Sequence, residues 1–495
     1  MRELSMTILR EDDRLFEVEV AESPARDVHP PAGRDKTFRP YDQHQTFLLP
    51  PSLDDWLPPE HTARFISETV DCALDLSLVY DAYHNAAGAP PFDPAMMTKL
   101  LLYGYSIGVT SSREIERRCS TDVAFRWLSA NAVPDYRSSA RFRRRHLGAL
   151  EDLFTQVLVL CERAGLVKLG RVALDGTKVR ASASRHKAMS YDRMEKRVEV
   201  LRCEVQALLC DAETTDQRED EEFGEDRRGD ELPPELATKE ARLATILAAK
   251  ETLEAEAREK AAREASTKAL ATGATTDEAE LLSEHAGATA TVNPRAQRNF
   301  TDPDARIMKT ADGSFPFCLN AQAVVDEHAQ VIIATTLVQD ATDVQQLIPM
   351  IEATTEQLQR AGVTKSPRVL LADAGYCSTN NIDATAGGAS DVLIATGRQQ
   401  HGERITDSPK GRIANNATSR ERMARRLRTK SGRADYARRK AIVEPVFGQM
   451  KTRQHAGQFR LRGLEGARGE WTLHALCHNL RKLANASSQG VMATA

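Results

Sequence analysis

Three acids in this chain have neighbours that suit chemistry. Asp175 ends the apolar run of VALDGTK (residues 172–178) where Gly176 lets the chain turn, and Asp373 does the same ahead of Gly375 in VLLADAGY (369–376). A continuous apolar run marks a strand buried on both faces, so an acid at its end is either an exposed turn residue or a ligand at the open edge of a sheet. Asp-Gly is also a common turn pair, and either aspartate alone is explained by a turn. Two in one sheet favour a site. Glu444, inside RRKAIVEPVFGQMK (438–451), supplies a third carboxylate. Three convergent carboxylates are what divalent metal ions require for work on phosphates.

The surroundings of Glu444 are basic. Tyr436, Arg439 and Lys451 flank it, and Glu444 and Lys451, seven residues apart, share a helical face, while Val443, Val446, Phe447 and Met450 supply a buried side. Pro445 is placed for the first turn of a helix and disfavours helical geometry at Glu444 itself. A carboxylate among cations makes sense if the cations hold a phosphate backbone while the acid completes a metal site pressed against it. A second basic group lies in PDYRSSARFRRRHLGALEDLFTQVLVL, where Arg137, Arg141, Arg143, Arg144 and Arg145 precede an apolar stripe. It reads as a helix-turn-helix touching phosphates or as a solvated basic helix.

The elements that must position these groups are legible in outline. Residues 60–165 carry apolar positions at helical spacing and predict an all-helical unit. β-like runs follow at 171–179, 317–326, 330–339, 368–373 and 391–396, with an amphipathic helix between the third and fourth. A hairpin and a strand-helix-strand crossover combine them into a mixed five-strand sheet flanked by helices, an α/β domain. Between the first two runs, residues 187–300 read as a helical and acidic insertion. It is an antiparallel hairpin with a seam at Leu236, Leu243, Ile246 and Leu253, then a loose return over 267–297. The expected organisation is a flexible lead-in (1–40), a helical DNA-binding domain (41–166), a catalytic domain (167–186 and 301–485) interrupted by the insertion, and a flexible tail (486–495).

Composition narrows the class. With 41% hydrophobic and 28% charged residues the chain is that of a soluble globular protein, and no run approaches a membrane span. Charged residues run through the N-terminus where a signal peptide needs an apolar core, so a cytoplasmic location is expected. Eight cysteines without CxxC or Cys/His ligand spacing read as core thiols. The net charge of −4 hides two opposed blocks: residues 211–235 hold twelve acids against three arginines, a net of −9, and residues 401–470 hold eighteen Lys/Arg against seven acids, a net of +11. The average therefore says little about partners.

LDGTK, LADAGY and YARRKAIVEPVFGQMK together resemble the three acidic motifs of DDE-type transposases of bacterial insertion sequences, the last being similar to their Tyr-Arg-Glu-Lys signature. TSSREIERRCSTDVAFRWLSA, PDYRSSARFRRRH, TDPDARIMK, NAQAVVD and FRLRGLEGARGEWTLHALCHNLRKL also look like family text, over roughly residues 40–485. Two departures are visible: four residues separate Arg439 from Glu444 where three are usual, and PFCLN replaces a GYN-like strand start. The resemblance implies a ribonuclease H-like catalytic domain in which Asp175, Asp373 and Glu444 bind two Mg²⁺ or Mn²⁺ ions, with Tyr436, Arg439 and Lys451 positioning phosphates. It further implies double-stranded DNA as partner, both terminal inverted repeats and target, and a homodimer on that DNA. A catalytically silent DNA-binding relative and a ribonuclease H-like nuclease without strand transfer are the alternatives.

Overall fold

The computed structural model describes residues 52–83, 90–184, 187–223, 234–397 and 408–488. The expected lead-in 1–40, the chain after 488 and the side chains of the acidic stretch 211–235, with that of Leu236, lie outside them. In the helical front, four helices start on a residue whose side chain accepts a backbone N–H. Short α1 (Leu53–Trp56) precedes α2 (Thr62–Cys72), capped by His61, and short α3 (Ser77–Tyr80) precedes α4 (Pro94–Ser106), capped by Asp93 with Pro94 in its first turn. Then come α5 (Ser112–Thr121), α6 (Val123–Leu128) on Asp122, α7 (Tyr136–Arg145) on Asp135, and α8 (Leu147–Arg163). The basic and apolar halves of the 137–163 segment are thus two helices meeting at His146 rather than one.

Strand β1 (Arg171–Arg180) leads into β2 (Ala188–Ser190) and the inserted helices α9 (Tyr191–Phe223), α10 (Pro234–Ala271) and α11 (Thr276–Ala288). The insertion has its own core, in which Ile246 and Leu253 are buried with Met194, Val198 and Leu201, and Leu243 packs alongside. The return expected to be loose contains α11. Thr275 accepts from Glu278 N–H and Glu278 reaches back to Thr275 N–H, a capping box that starts a helix in a segment poor in large apolar residues. At its base β2 pairs antiparallel with β3 (Gln297–Asn299), and Glu256 of α10 accepts from both Arg298 and Arg306.

The sheet resumes with β4 (Arg306–Ile307), β5 (Phe317–Asp326), β6 (Ile332–Val338), α12 (Leu347–Arg360), β7 (Val369–Ala372), α13 (Thr379–Ala384) and β8 (Asp391–Ile394). Its order is β4-β5-β1-β7-β8, with β6 also on β5. β5 is antiparallel to β1 and to β6, while β1, β7 and β8 run parallel. This is a mixed α/β fold behind a helical N-terminal region, with the five expected strands in place. The chain closes with α14 (Ser419–Arg428), α15 (Lys430–Tyr436), α16 (Arg439–Arg453) and α17 (Leu464–Ser488). No helix among the described residues is long and apolar enough to cross a membrane. Cys119, Cys161, Cys318 and Cys477 are core thiols as expected, but Cys72 and Cys203 are exposed.

Helix α17 packs on α8, α4 and β6 and joins the helical front to the sheet. Its polar residues are bonds. Asn479 accepts from Ile332 N–H (2.8 Å) and donates to Ile332 O (2.8 Å), completing the edge of β6. Glu470 is buried, accepting from Tyr105 Oη (3.0 Å) and from the N–H groups of Arg460 (2.8 Å) and Leu461 (2.9 Å). Burial raises the Glu470 pKa, and the nearby Arg143 guanidinium opposes that rise. Glu470→Ala would strand two backbone N–H groups and leave Arg143 without its nearby anion, which should cost about 3–5 kcal/mol. Thermal unfolding should show a midpoint several degrees lower; an unchanged midpoint would mean that this network does not fasten the two regions.

Candidate active site

Strands β1 and β7 are parallel neighbours, and their last registered pair is Leu174 with Ala372. The next residue on each is an aspartate, so Asp175 and Asp373 stand side by side where β7 ends and β1 continues to Arg180. Asp373 Oδ1 accepts from Gly375 N–H (2.7 Å), starting the short 3-10 turn Ala374–Tyr376, and Asp175 Oδ1 accepts from Gly176 N–H (2.9 Å).

Helix α16 brings the basic groups. Its approach is fixed by ion pairs on residues adjacent to those of the site: Asp435 accepts from Arg171 Nε (2.6 Å), and Arg438 Nε donates to Glu327 (2.7 Å), which also accepts from Arg171 (2.9 Å). Between and beyond these anchors, Tyr436 is half-buried and Arg439 is buried, with Arg439 Nη1 donating to Asp175 Oδ2 at 3.1 Å. Three turns later Lys451 donates to Thr177 Oγ1, two residues past Asp175 on the same face of β1. The helix starts at Arg439, with Pro445 in its interior rather than in its first turn. Proline cannot donate to Ala441 O, and Gln330 Nε2 takes that acceptor at 3.0 Å, which makes an interior proline tolerable.

The electrostatics follow from this packing. Burial pushes the Asp175 carboxyl up to about 6, Arg439 pulls it down, and the charge of Asp373 adds to the rise. Burial acts to lower Arg439, yet Asp175, Tyr436 and Asp373 leave it above its ordinary value. Burial raises Tyr436 and lowers Lys451. Two adjacent aspartates are hard oxygen donors whose joint negative charge favours a cation, and they fit Mg²⁺ or Mn²⁺. Glu444 does not join them: it is exposed, and among the described residues no three His, Cys, Asp or Glu converge closely enough to hold one ion. Five residues of helix turn Glu444 about 140° away from Arg439, the residue that faces Asp175. Glu444 keeps the face of Lys451, as its seven-residue spacing implies.

Of the arginines proposed for phosphate contact in the N-terminal region, Arg143 is a correction. It is buried, donating to Tyr105 Oη and to Thr110 O (3.0 Å), because Phe142 and Ser139 turn that face of α7 into the core. Arg141 and Arg144 are exposed. Arg145 is exposed too, donates to Ala82 O and lies 4.6 Å over the Tyr83 ring. Arg439, expected to position phosphates, is buried here and donates to Asp175.

A second polar group escaped the sequence reading. Asp343, ahead of α12, accepts at Oδ1 from Asn320 Nδ2 (2.7 Å), Gln322 Nε2 (2.8 Å) and Lys178 Nζ (3.3 Å), and Tyr376 Oη donates to Gln322 Oε1. A signal was present: Asn320 and Gln322 are two apart in a strand that is otherwise apolar up to Val325, and two polar side chains on one buried face need partners.

A family model described as Transposase DDE domain matches residues 295–480, and one described as Transposase domain (DUF772) matches residues 51–145. No curated protein and no solved structure matches significantly. The DDE match contains Asp373 and the whole of α16, the other contains the helical front through α7, and together they span more than half of the chain. The paired aspartates and their basic helix thus lie in a chain that belongs to the DDE-type transposases of insertion sequences.

Proposed function

We propose that this transposase cleaves the ends of its insertion sequence and joins them to target DNA by two-metal-ion phosphoryl transfer, on a ribonuclease H-like domain whose acids are Asp175, Asp373 and Glu444. The observation that carries this reading is the juxtaposition of Asp175 and Asp373 just past the last registered pair of two adjacent parallel strands, beside Arg439 and Tyr436. The strand order, with one antiparallel hairpin beside three parallel strands, is compatible with a ribonuclease H-like domain and supports this reading.

In this reading Asp175 and Asp373 hold Mg²⁺ or Mn²⁺, and Glu444, which stands apart from them, is the third acid to be tested, carried on the exposed strip of α16 that ends at Lys451. Bound ions supply activation of water or a 3′-hydroxyl and stabilise the leaving oxygen of an in-line displacement. Arg439 balances Asp175, Tyr436 and Lys451 line the approach of the DNA backbone, and exposed Arg141 and Arg144 extend the phosphate contact. Two copies on DNA bring the two ends of the element together. The exposure of Glu444 favours a second reading, a DNA-binding protein without catalysis, and the experiments below separate the two.

Glu444→Gln, Asp175→Asn and Asp373→Asn should each leave binding to end DNA intact and abolish Mg²⁺-dependent cleavage and strand transfer. Because the acids act together, a double substitution should be little worse than a single one. Retention of full cleavage by Glu444→Gln would remove it from the site, and absence of cleavage in the unaltered protein would favour the silent reading.

DNA affinity should fall ~10-fold or more between ~50 and ~200 mM salt, as expected when several phosphate contacts release counterions. Filter binding or fluorescence anisotropy measures this, and a flat dependence would contradict a phosphate-binding surface.

The raised pKa of Asp175 gives a further test in chelator-treated protein. The folded state keeps this proton to about pH 6 while the unfolded chain releases it near 3.8, so stability contributed by protonation is present below the lower value and lost as pH rises through the upper. Asp175→Asn should therefore unfold at a higher temperature than the unaltered protein at pH 8 and lose that advantage near pH 4. Parallel curves across this range would show that Arg439 fully compensates the buried charge.

A further inference from the structure

We propose that Asp343 is a positioning residue for the acidic pair, its carboxylate neutralising the Lys178 ammonium on the strand that carries Asp175 while packing against the two glycines that follow the pair. The proposal rests on the reading of Asp175 and Asp373 as the metal-binding pair.

The geometry comes from the unequal lengths of two strands. β7 leaves the sheet after Ala372, whereas β1 continues to Arg180, and the 3-10 turn Ala374–Tyr376 and Asp343 gather beside that unpaired half. On the other side of β1, Gly176 is registered with Gln322 and Lys178 with Asn320. All three donors on Asp343 Oδ1 therefore come from one patch of two paired strands, and they include the cation three residues after Asp175.

Asp343 also touches the glycine after each acid, one within β1 and one in the 3-10 turn. A Cβ on Gly176 would collide with Gln322 Nε2 and lie 2.8 Å from Asp343 Oδ1, and one on Gly375 would lie 3.5 Å from Asp343 Oδ2. Gly176 could not gain a methyl group without moving this carboxylate or Gln322, whereas at Gly375 the crowded atom is Asp373 Oδ1 (2.9 Å) and Asp343 is in ordinary contact. Asn381 completes the link, donating to Val344 O (2.6 Å), next to Asp343, and to Tyr376 O (2.7 Å), at the end of the turn that Asp373 begins.

Charge gives the arrangement its purpose. A divalent cation is attracted by two carboxylates and repelled by any ammonium left without a counter-ion nearby. Lys178 and Asp343 are both mostly shielded from water, with side chains 17% and 23% exposed, so their charges are weakly screened. Asp343 cancels Lys178 locally, and the negative field of the pair is left for the ion.

The test is Mn²⁺ binding to the full-length protein, read from the electron paramagnetic resonance signal of free Mn²⁺, with thermal unfolding as the check on folding. Asp343→Asn keeps an acceptor for Asn320 and Gln322 but loses the charge, and should weaken Mn²⁺ binding ~10-fold or more, the range seen when a ligand's supporting partner is removed. Adding Lys178→Met to Asp343→Asn should restore most of the loss, which repair of shape alone would not do. Lys178→Met by itself should bind Mn²⁺ at least as tightly as the unaltered protein, and this variant decides the matter if Asp343→Asn fails to fold. Unchanged binding in a folded Asp343→Asn, no recovery in the double variant, or weaker binding in Lys178→Met would overturn the proposal. Asp175→Asn is the separate control: if it leaves Mn²⁺ binding unchanged, the acidic pair has been misassigned, whatever Asp343 does.

Discussion

Two carboxylates side by side, one in the middle of β1 and one just past the end of the parallel β7, repel each other and resist burial, and the structure around β1 is organised to bear that cost. The repulsion shows in Asp175, which burial and Asp373 push up to about 6 despite a guanidinium 3.1 Å away. Arg439 can offset it only if it is held in place. Asp435 and Arg438 do this by pairing with Arg171 and Glu327, so the ends of β1 and β5 fix the start of α16. The site is rigid on this side because its cation stands beside anchored residues.

The sequence made the strands legible for a simple reason. Apolar runs such as VAL (172–174) and VLLA (369–372) read as buried strands, and Asp175 and Asp373 stand out because they end such runs. The start of α16 was not legible in the same way. Pro445 looks like a first-turn residue, and only Gln330, distant in sequence, shows why the helix continues through it. Arg143 fails for a similar reason: five neighbouring arginines suggest one solvated face, while the partners that draw Arg143 inward, Tyr105 and Thr110, lie in and after another helix. The capping box of Thr275 and Glu278 was a local signal that alanine-rich surroundings masked. Contacts between residues close in sequence could have been found; those made across the fold could not.

The insertion illustrates how a chain can grow without disturbing its site. It leaves after β1 and returns before β4, and β2 and β3 pair at the point of departure. Glu256 then receives both Arg298 and Arg306, tying α10 to the returning chain and to an edge strand of the sheet. The helices bury their own seam of Met194, Val198, Leu201, Ile246 and Leu253, separate from the core of the sheet. Their packing therefore makes little demand on the strands that carry Asp175 and Asp373.

Much of the remaining motif text serves folding rather than chemistry. In TDPDARIMK, Asp302 and Asp304 accept from Gly463 N–H (3.2 Å) and Leu464 N–H (2.7 Å), so a segment returning from the insertion caps the start of α17. In the closing motif, Trp471 Nε1 donates to Gln322 O (3.2 Å), on the same residue whose side chain donates to Asp343. Gln322 is consequently held from both sides, by α17 through its backbone and by Asp343 through its amide. Buried polar groups of this kind are costly unless all are satisfied, and satisfying them fixes one arrangement of helix and strand. The positions of α17 and of Asp343 are thereby set by bonds that meet on β5, the strand paired with the one that carries Asp175.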